Sequence, residues 1–298
     1  MGNFFRTINL FKRNHYVNWW VAVWRHTLWQ GRKILNLFPC DIPMGRFVVR
    51  IADRSVANGV GAMINALRYY DPNNMHFLEE IFQSKTCTCF YDVGANIGIY
   101  SLIVASSVLD ARICAFEPHP DTFSLLKANV SLNKYEGRIQ CFQTALGEEE
   151  GQIAFTDEPG SPVNQVVLED RENLARKTIR VDIRTGDALF QETGISPEVL
   201  KIDVEGYEDH VLLGFKASLS AVKVIFIECQ DVSKTARILC NEFGFLGPFK
   251  MDYRSRRLIS EPGFSYEDWL FFSPRFLAPL SDCGFDCRLA QVSLQGRA

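Results

Sequence analysis

The segment Phe90-Tyr-Asp-Val-Gly-Ala-Asn-Ile-Gly-Ile-Tyr100 constrains this chain more than any other stretch. An apolar run meets an acid, passes straight into Gly94 and Gly98, and continues as a helical pattern. Glycines at a strand-to-helix bend let the backbone turn sharply and approach a ligand, because no Cβ stands in the way. Such a bend belongs at the carboxyl edge of a parallel sheet, where open α/β folds hold their ligands. Its spacing is not the G-x-G-x-x-G of a dinucleotide site. Asp92 adds a negative charge that suits a cationic ligand, one carrying an amino-acid group and a sulfonium, better than a pyrophosphate.

From Thr88 onward strand and helix alternate, which predicts a doubly wound, mostly parallel sheet with helices on both faces. Apolar runs predict strands at Cys89–Val93, Arg112–Glu117, Ile139–Gln143, Val199–Asp203 and Val222–Glu228, with Lys250–Arg254 and Asp268–Ser273 as the last two. Helices are expected over Tyr100–Val108, Asp121–Leu132, Tyr207–Leu213 and Ser233–Phe243. An insertion breaks the alternation, with Gln152–Phe155 and Thr178–Ile183 expected to pair as a hairpin flanking a loop around Pro159 to Asn164. The second strand ends in Phe116-Glu117-Pro118, nineteen residues beyond Gly98. A carboxylate at that place can accept both hydroxyls of a ribose.

Two segments precede this domain. Residues 1–40 contain Arg6, Lys12, Arg13, Arg25, Arg32 and Lys33 with no acid before Asp41, and four of the five tryptophans: Trp19, Trp20, Trp24 and Trp29. Wound as a helix from Asn14 to Leu35, they give an apolar face of Tyr16, Val17, Trp20, Val21, Val23, Trp24, Leu28 and Leu35. His15, Asn18, Arg25, Arg32 and Lys33 lie opposite, with Trp29 as the misfit. Two readings stand: a helix lying in a membrane interface, or one packed on the catalytic domain or another subunit. Residues 41–86 form a strand-and-helix subdomain, with a strand at Arg46–Ile51, a helix at His76–Phe82, and Asp71-Pro-Asn-Asn74 as cap chemistry between them. Residues 87–275 are the main domain and 276–298 a C-terminal tail.

Composition closes off several classes. Apolar content of 47% with 22% charged residues excludes general disorder. A formal charge of -3 carries no nucleic-acid footprint, so no nucleic-acid partner is expected. Nine cysteines, several within apolar strands, and no secretory leader pattern point to a cytoplasmic protein, with peripheral membrane contact left open. Cys283-Gly-Phe-Asp-Cys287 lacks a second pair or His partner for metal, and Asn129-Val-Ser131 reads as a helix segment. His119 is expected on a solvent-facing loop, Glu148-Glu-Glu150 in a solvated turn, and Arg254-Ser-Arg-Arg257 in a hairpin.

Asp92-Val-Gly-Ala-Asn-Ile-Gly98, Phe116-Glu-Pro-His-Pro120, Ala145-Leu-Gly147 and Leu200-Lys-Ile-Asp-Val-Glu-Gly206, followed by Glu208 and Leu212-Leu-Gly214, resemble the FkbM family of methyltransferases. The resemblance runs from about Tyr70 to Pro274, and the Lys-Ile-Asp-Val-Glu-Gly block is its most specific element. It implies a Rossmann-like class I methyltransferase fold with a seven-stranded sheet, S-adenosyl-L-methionine as methyl donor, and a hydroxyl acceptor, often on a sugar. It also implies that Asp92, Gly94, Asn96 and Gly98 line the methionine and ribose side. Glu117 would hold the ribose hydroxyls, and the stretch at Ala145 would contact adenine. Where the family often carries a His two places after the fifth strand's acid, this chain has Gln230.

Methyl transfer to an alcohol needs positioning and a group that takes the hydroxyl proton as the oxygen attacks. Asp203 and Glu205 are the candidates for base or acceptor orientation, with His210 a third. Either acid alone can equally cap the next helix or touch the cofactor, and together with Glu228 they can bind Mg²⁺, although no metal site is assigned. Two other functions stay in view: a nicotinamide-dependent oxidoreductase, and a non-catalytic scaffold that keeps the fold. The expected partner is a sugar-containing or other hydroxyl acceptor, and assembly into a homo-oligomer is compatible with the sequence.

Overall fold

The computed structural model describes residues 17–52, 60–157, 164–167, 177–229, 231–260 and 268–295. Residues 6, 12–16, 159–163 and Gln230, which figure in the expectations above, lie outside the described residues. Helix α1 (Trp19–Ile34) starts at Asn18, whose side chain accepts from the Trp20 N–H. It packs on the body through Ala22 and Trp29, both buried, with Trp29 in the main core. The expected misfit is therefore the anchor; of the expected apolar face, Trp20, Val21, Trp24, Leu28 and Leu35 look outward, while Val17 and Val23 pack beside Ala22. Next come the hairpin β1 (Cys40–Met44) and β2 (Phe47–Ile51), then α2 (Val60–Leu67) and α3 (Pro72–Gln83). The Asp71 side chain caps α3 by accepting from the Asn74 N–H, with Pro72 in the first turn, where a missing N–H costs nothing.

The main domain then runs β3 (Cys89–Val93), α4 (Ile99–Ser107), β4 (Arg112–Phe116), α5 (Pro120–Leu132) and β5 (Ile139–Phe142). A small side sheet follows: β6 (Ala145–Leu146), β7 (Gly151–Thr156) and β8 (Thr178–Arg184), the last two antiparallel. After α6 (Gly186–Thr193) come β9 (Val199–Ile202), α7 (Glu208–Leu213), β10 (Val224–Ile227) and α8 (Val232–Ala236), which widens into a π-turn over Arg237–Glu242. The remaining elements are β11 (Leu246–Asp252), β12 (Arg257–Ile259), β13 (Trp269–Phe272), α9 (Leu277–Asp282) and α10 (Arg288–Gln295). Among the described residues the main sheet has eight strands, ordered β12-β11-β13-β10-β9-β3-β4-β5. The run β10-β9-β3-β4-β5 is parallel, and β13, β11 and β12 close one edge antiparallel. The seven expected strands are all present. The eighth, β12, is a short return strand of the hairpin that holds Arg256.

Side chains alternate across the sheet and feed two cores, as a pleated strand requires. Phe90, Val199, Phe226 and Phe272 point to one face, while Tyr91, Leu200, Ile225 and Phe271 point to the other. The stretch expected as a tail carries helices whose Phe276, Leu280 and Ala290 are buried in the first core. Among the described residues no helix is long and apolar enough to cross a membrane, and all nine cysteines are free. Arg256 pairs with Glu80 at 2.6 Å and stacks on Phe285, so the arginine hairpin is clamped to α3.

Asn129 shows how the N-terminal hairpin is held. It is fully buried on α5; its Oδ1 accepts from the Arg50 N–H at 2.7 Å and its Nδ2 donates to the Ile97 carbonyl at 2.9 Å. The Asn133 Oδ1 does the same for the Val48 N–H at 2.8 Å. Asn129→Ala strands two backbone groups away from water, so it is expected to lower unfolding stability by roughly 2–4 kcal/mol. Urea denaturation measures this, and a loss below about 0.5 kcal/mol, the size of an ordinary surface change, would contradict the brace.

Candidate active site

Three bends meet at the carboxyl edge of β3, β4 and β9. In the first, Gly94 has φ +79° and Asn96 φ +51°, both left-handed, and Gly98 has φ +90°. A Cβ on Gly94 would lie 1.9 Å from the carbonyl oxygen of Asp203. On Gly98 it would lie 2.6 Å from Leu126. These glycines are thus demanded by neighbours as well as by the turn. The Asp92 Oδ2 accepts from the Ser101 N–H at 3.1 Å and the Ser101 hydroxyl at 2.6 Å, which ties the start of α4 to the end of β3. Burial pushes the Asp92 carboxyl above its usual value, against the pull of Lys201.

In the second bend, Glu117 is buried and bonded to two backbones. Its Oε2 accepts from the Asn96 N–H at 3.0 Å, its Oε1 from the His119 N–H at 2.9 Å. Burial pushes this carboxyl up to about 7, although both backbone bonds lower it. His119 is 2% exposed, against the expectation of a solvent-facing residue, and its Nε2 lies 3.1 Å from Asp157 Oδ1. Lys177 pairs with the same Asp157. The side sheet is fastened here to the start of α5.

The third bend carries the acids. Lys201 on β9 is 3% exposed, with its Nζ 2.8 Å from Asp203 Oδ2 and 4.6 Å from the centroid of the Tyr100 ring. Burial alone would lower the Lys201 ammonium, but Asp203, Asp268 and Asp92 more than reverse this and hold it above its usual value. Glu205 sits at φ +57° and is raised by burial first and Asp203 second. Glu228, just past β10, is pushed up to about 7 by burial, then by Asp203 and Asp268. Asp268 reaches about 6 by burial, and its Oδ2 is buried with no hydrogen-bond partner among the described residues.

These bends enclose a cavity of about 480 Å³, within the range of small-molecule sites. One end holds Glu117, Pro118, Thr144, Ala145 and Phe155, the other Tyr70, Lys201, Asp203, Glu205 and Glu228, with Asp92, Gly94 and Asn96 also on its wall. Of the expected site residues, Asp92, Gly94, Asn96, Glu117, Ala145, Asp203 and Glu205 line this cavity together. Two do not. Gly98 sets the turn from behind, and the His210 Nδ1 is directed to Glu148 Oε1 at 2.8 Å with its ring stacked on Tyr207. His210 thus stands off the cavity wall. Among the described residues, no group of three or more His, Cys, Asp or Glu is arranged to hold a metal ion.

Sequence reasoning assigned no role to Lys201, Tyr70, Asp268 or Asn164. Lys201 had a usable signal: a lysine inside an apolar strand must find a carboxylate, and Asp203 two residues on shares its face. Tyr70 and Asn164 stand in unpatterned segments and carried none. Burial first, then Asp203, hold the Tyr70 hydroxyl above its ordinary value.

Comparison with known proteins bears on the same residues. Residues 92–269 match the family described as Methyltransferase FkbM domain. The chain is 32% identical over 151 residues to hexuronic acid methyltransferase AglP of Haloferax volcanii, covering 48% of this chain and 59% of that one. Methyltransferase 1 of Beauveria bassiana is 31% identical over 176 residues, 52% of this chain and 70% of its own. The 31-O-demethyl-FK506 methyltransferase FkbM of Streptomyces tacrolimicus is 28% identical over 171 residues, 48% and 65% of the two chains. The chain thus spans only part of each relative's length, 59% of the first.

Proposed function

The chain belongs to the FkbM methyltransferase family, and on that premise we propose that it transfers a methyl group from S-adenosyl-L-methionine to a hydroxyl of a neutral sugar. Membership sets aside the oxidoreductase and scaffold readings. The observation that carries the proposal is the division of one cavity between a ribose-type carboxylate, Glu117, and a basin of acids around Lys201.

The residues fit the cofactor on their own terms. The Gly94 bend leaves a cradle that a Cβ would close, and each Glu117 oxygen, already holding one backbone N–H, has a lone pair left for a ribose hydroxyl. Phe155 and Pro118 supply apolar wall for a base. When bound, the cofactor supplies an electrophilic methyl on a sulfonium. The chain's own acids then handle the acceptor. Lys201 fixes one Asp203 oxygen, which makes Asp203 a rigid acceptor for orienting the sugar hydroxyl. Glu228, poised near neutrality, takes the proton, as a base matched to the working pH does. Three acids against one lysine also disfavour a carboxylated sugar, so this site differs in preference from the hexuronic acid named for the Haloferax relative.

The test is mass spectrometry of neutral and uronic glycans after incubation with protein and cofactor. A gain of one methyl on a neutral sugar hydroxyl is expected, and transfer confined to uronic acids or to nitrogen would refute the acceptor assignment. In Glu228→Gln, kcat should fall by about 100-fold or more while S-adenosylhomocysteine affinity holds. In the native protein kcat should rise with pH through about 7, since Glu228 must lose its proton to act. An unchanged profile in the variant would move the role of base elsewhere.

A further inference from the structure

We propose that the outward face of α1 docks on an anionic membrane surface. Trp20, Trp24 and Leu28 recur every four residues, one stripe of a helix, and are 64%, 63% and 55% exposed. Ile34, Leu35 and Leu37 extend the patch past the helix end. This face is not awaiting a place in the core. Ala22 and Trp29 hold the opposite side of the helix, the Asn65 Nδ2 donates to the Arg25 carbonyl at 3.1 Å, and Arg25 Nη1 donates to the Ala66 carbonyl at 3.4 Å. The packed position itself turns the indole stripe to water.

Charge selects the occupant. The first 40 residues carry Arg6, Lys12, Arg13, Arg25, Arg32 and Lys33 without one acid, in a chain whose formal charge is -3. A two-fold dimer through this face would set the described cations Arg25, Arg32 and Lys33 near their own copies, whereas anionic headgroups pair with them. Indoles suit the headgroup level, where an apolar ring and a polar N–H are both satisfied. With 16 residues and both Arg32 and Lys33 in its last turn, α1 lies along such a surface instead of crossing it. The docking helix adjoins a wall of the site: Met63 of α2 packs in one cluster with Ala22 of α1 and lines the cavity. A lipid-carried acceptor would thus enter from the interface. That last step rests on the methyltransferase reading; the docking does not.

The experiment is co-sedimentation of the full chain with phosphatidylcholine vesicles, with and without phosphatidylglycerol, beside a Trp20→Ser/Trp24→Ser double variant. Binding should require phosphatidylglycerol, weaken at high salt, and drop by more than about tenfold in the variant. The melting temperature should fall by no more than a few degrees, because Trp24 faces water and Trp20, 64% exposed, touches the protein through its stack on the Trp19 ring. Equal pelleting of the two proteins overturns the proposal. So does a larger fall in melting temperature, which would mean that the rings pack on the core. A vesicle-free dimer that the variant dissolves would give the face to a second copy. S-adenosylhomocysteine calorimetry, run without vesicles, separates the two readings: no binding by the native chain counts against the methyltransferase assignment alone.

Discussion

Gly94→Ala should bring S-adenosylhomocysteine binding below detection, a loss of at least about 100-fold, and lower unfolding stability by roughly 3–5 kcal/mol. Two costs combine. The residue sits at φ +79°, where any Cβ is strained, and the new methyl would lie 1.9 Å from the Asp203 carbonyl oxygen. That oxygen is backbone, held by the Asp203 N–H donating to the Val93 carbonyl at 3.0 Å, so it cannot swing aside as a side chain would. Relief requires moving either the glycine bend or the end of β9, and both line the cavity. Gly45→Ala separates the terms. Gly45 has φ +62° with nothing within 4 Å of a built Cβ, so it should cost only about 1 kcal/mol and leave calorimetric affinity unchanged. If the two variants behave alike, the close approach of Gly94 to β9 has no energetic weight.

The second large effect is at Glu117. Glu117→Ala removes the acceptor of two backbone N–H groups as well as the proposed ribose partner, and charge-assisted bonds of this kind are each worth about 1.5–3 kcal/mol. Calorimetry should show affinity for S-adenosylhomocysteine lowered by about 100-fold or more. Glu117→Gln keeps the shape and should lose less, and it should erase a pH dependence that the native protein has. With the native carboxyl pushed up to about 7, affinity should climb as pH rises through that value and plateau above it. Stability runs the other way. The folded state holds this proton more tightly than an unfolded glutamate, whose ordinary value is about 4.3. The stabilisation is therefore complete below that value and is lost as pH rises towards 7. Glu228 and Asp268 act in the same direction. An affinity flat from pH 5 to pH 8 would remove Glu117 from the nucleoside contact.

Much of this architecture was readable because its strands are apolar on both faces and end in chemistry. β3 was placed residue for residue, since a run from Cys89 to Val93 has one arrangement open to it between a turn and a glycine bend. The side hairpin was readable from its two alternating arms, and Asp71 from its Pro72 partner. What escaped was whatever tertiary contact decides. Pro43 disguised β1, whose pairing with β2 comes from the turn between them. Helices α9 and α10 are too short and too mixed to announce themselves, and they exist because Leu277 and Leu280 of the first and Ala290 of the second find the core. Trp29 looked misplaced on a wheel drawn for the wrong contact face. His119 and His210 exchanged expectations: the first is buried beside Glu117, the second is turned to Glu148. For these two rings nothing in the local sequence distinguishes the outcomes.

The close approach of Gly94 to the Asp203 carbonyl also means that the two halves of the cavity share backbone that has no room to spare. The Gly94 turn cannot shift toward β9 without displacing the bend that carries Asp203 and Glu205. With donor and acceptor in the two halves as proposed, linkage requires reciprocity: any factor the donor lends to acceptor affinity, the acceptor returns to the donor.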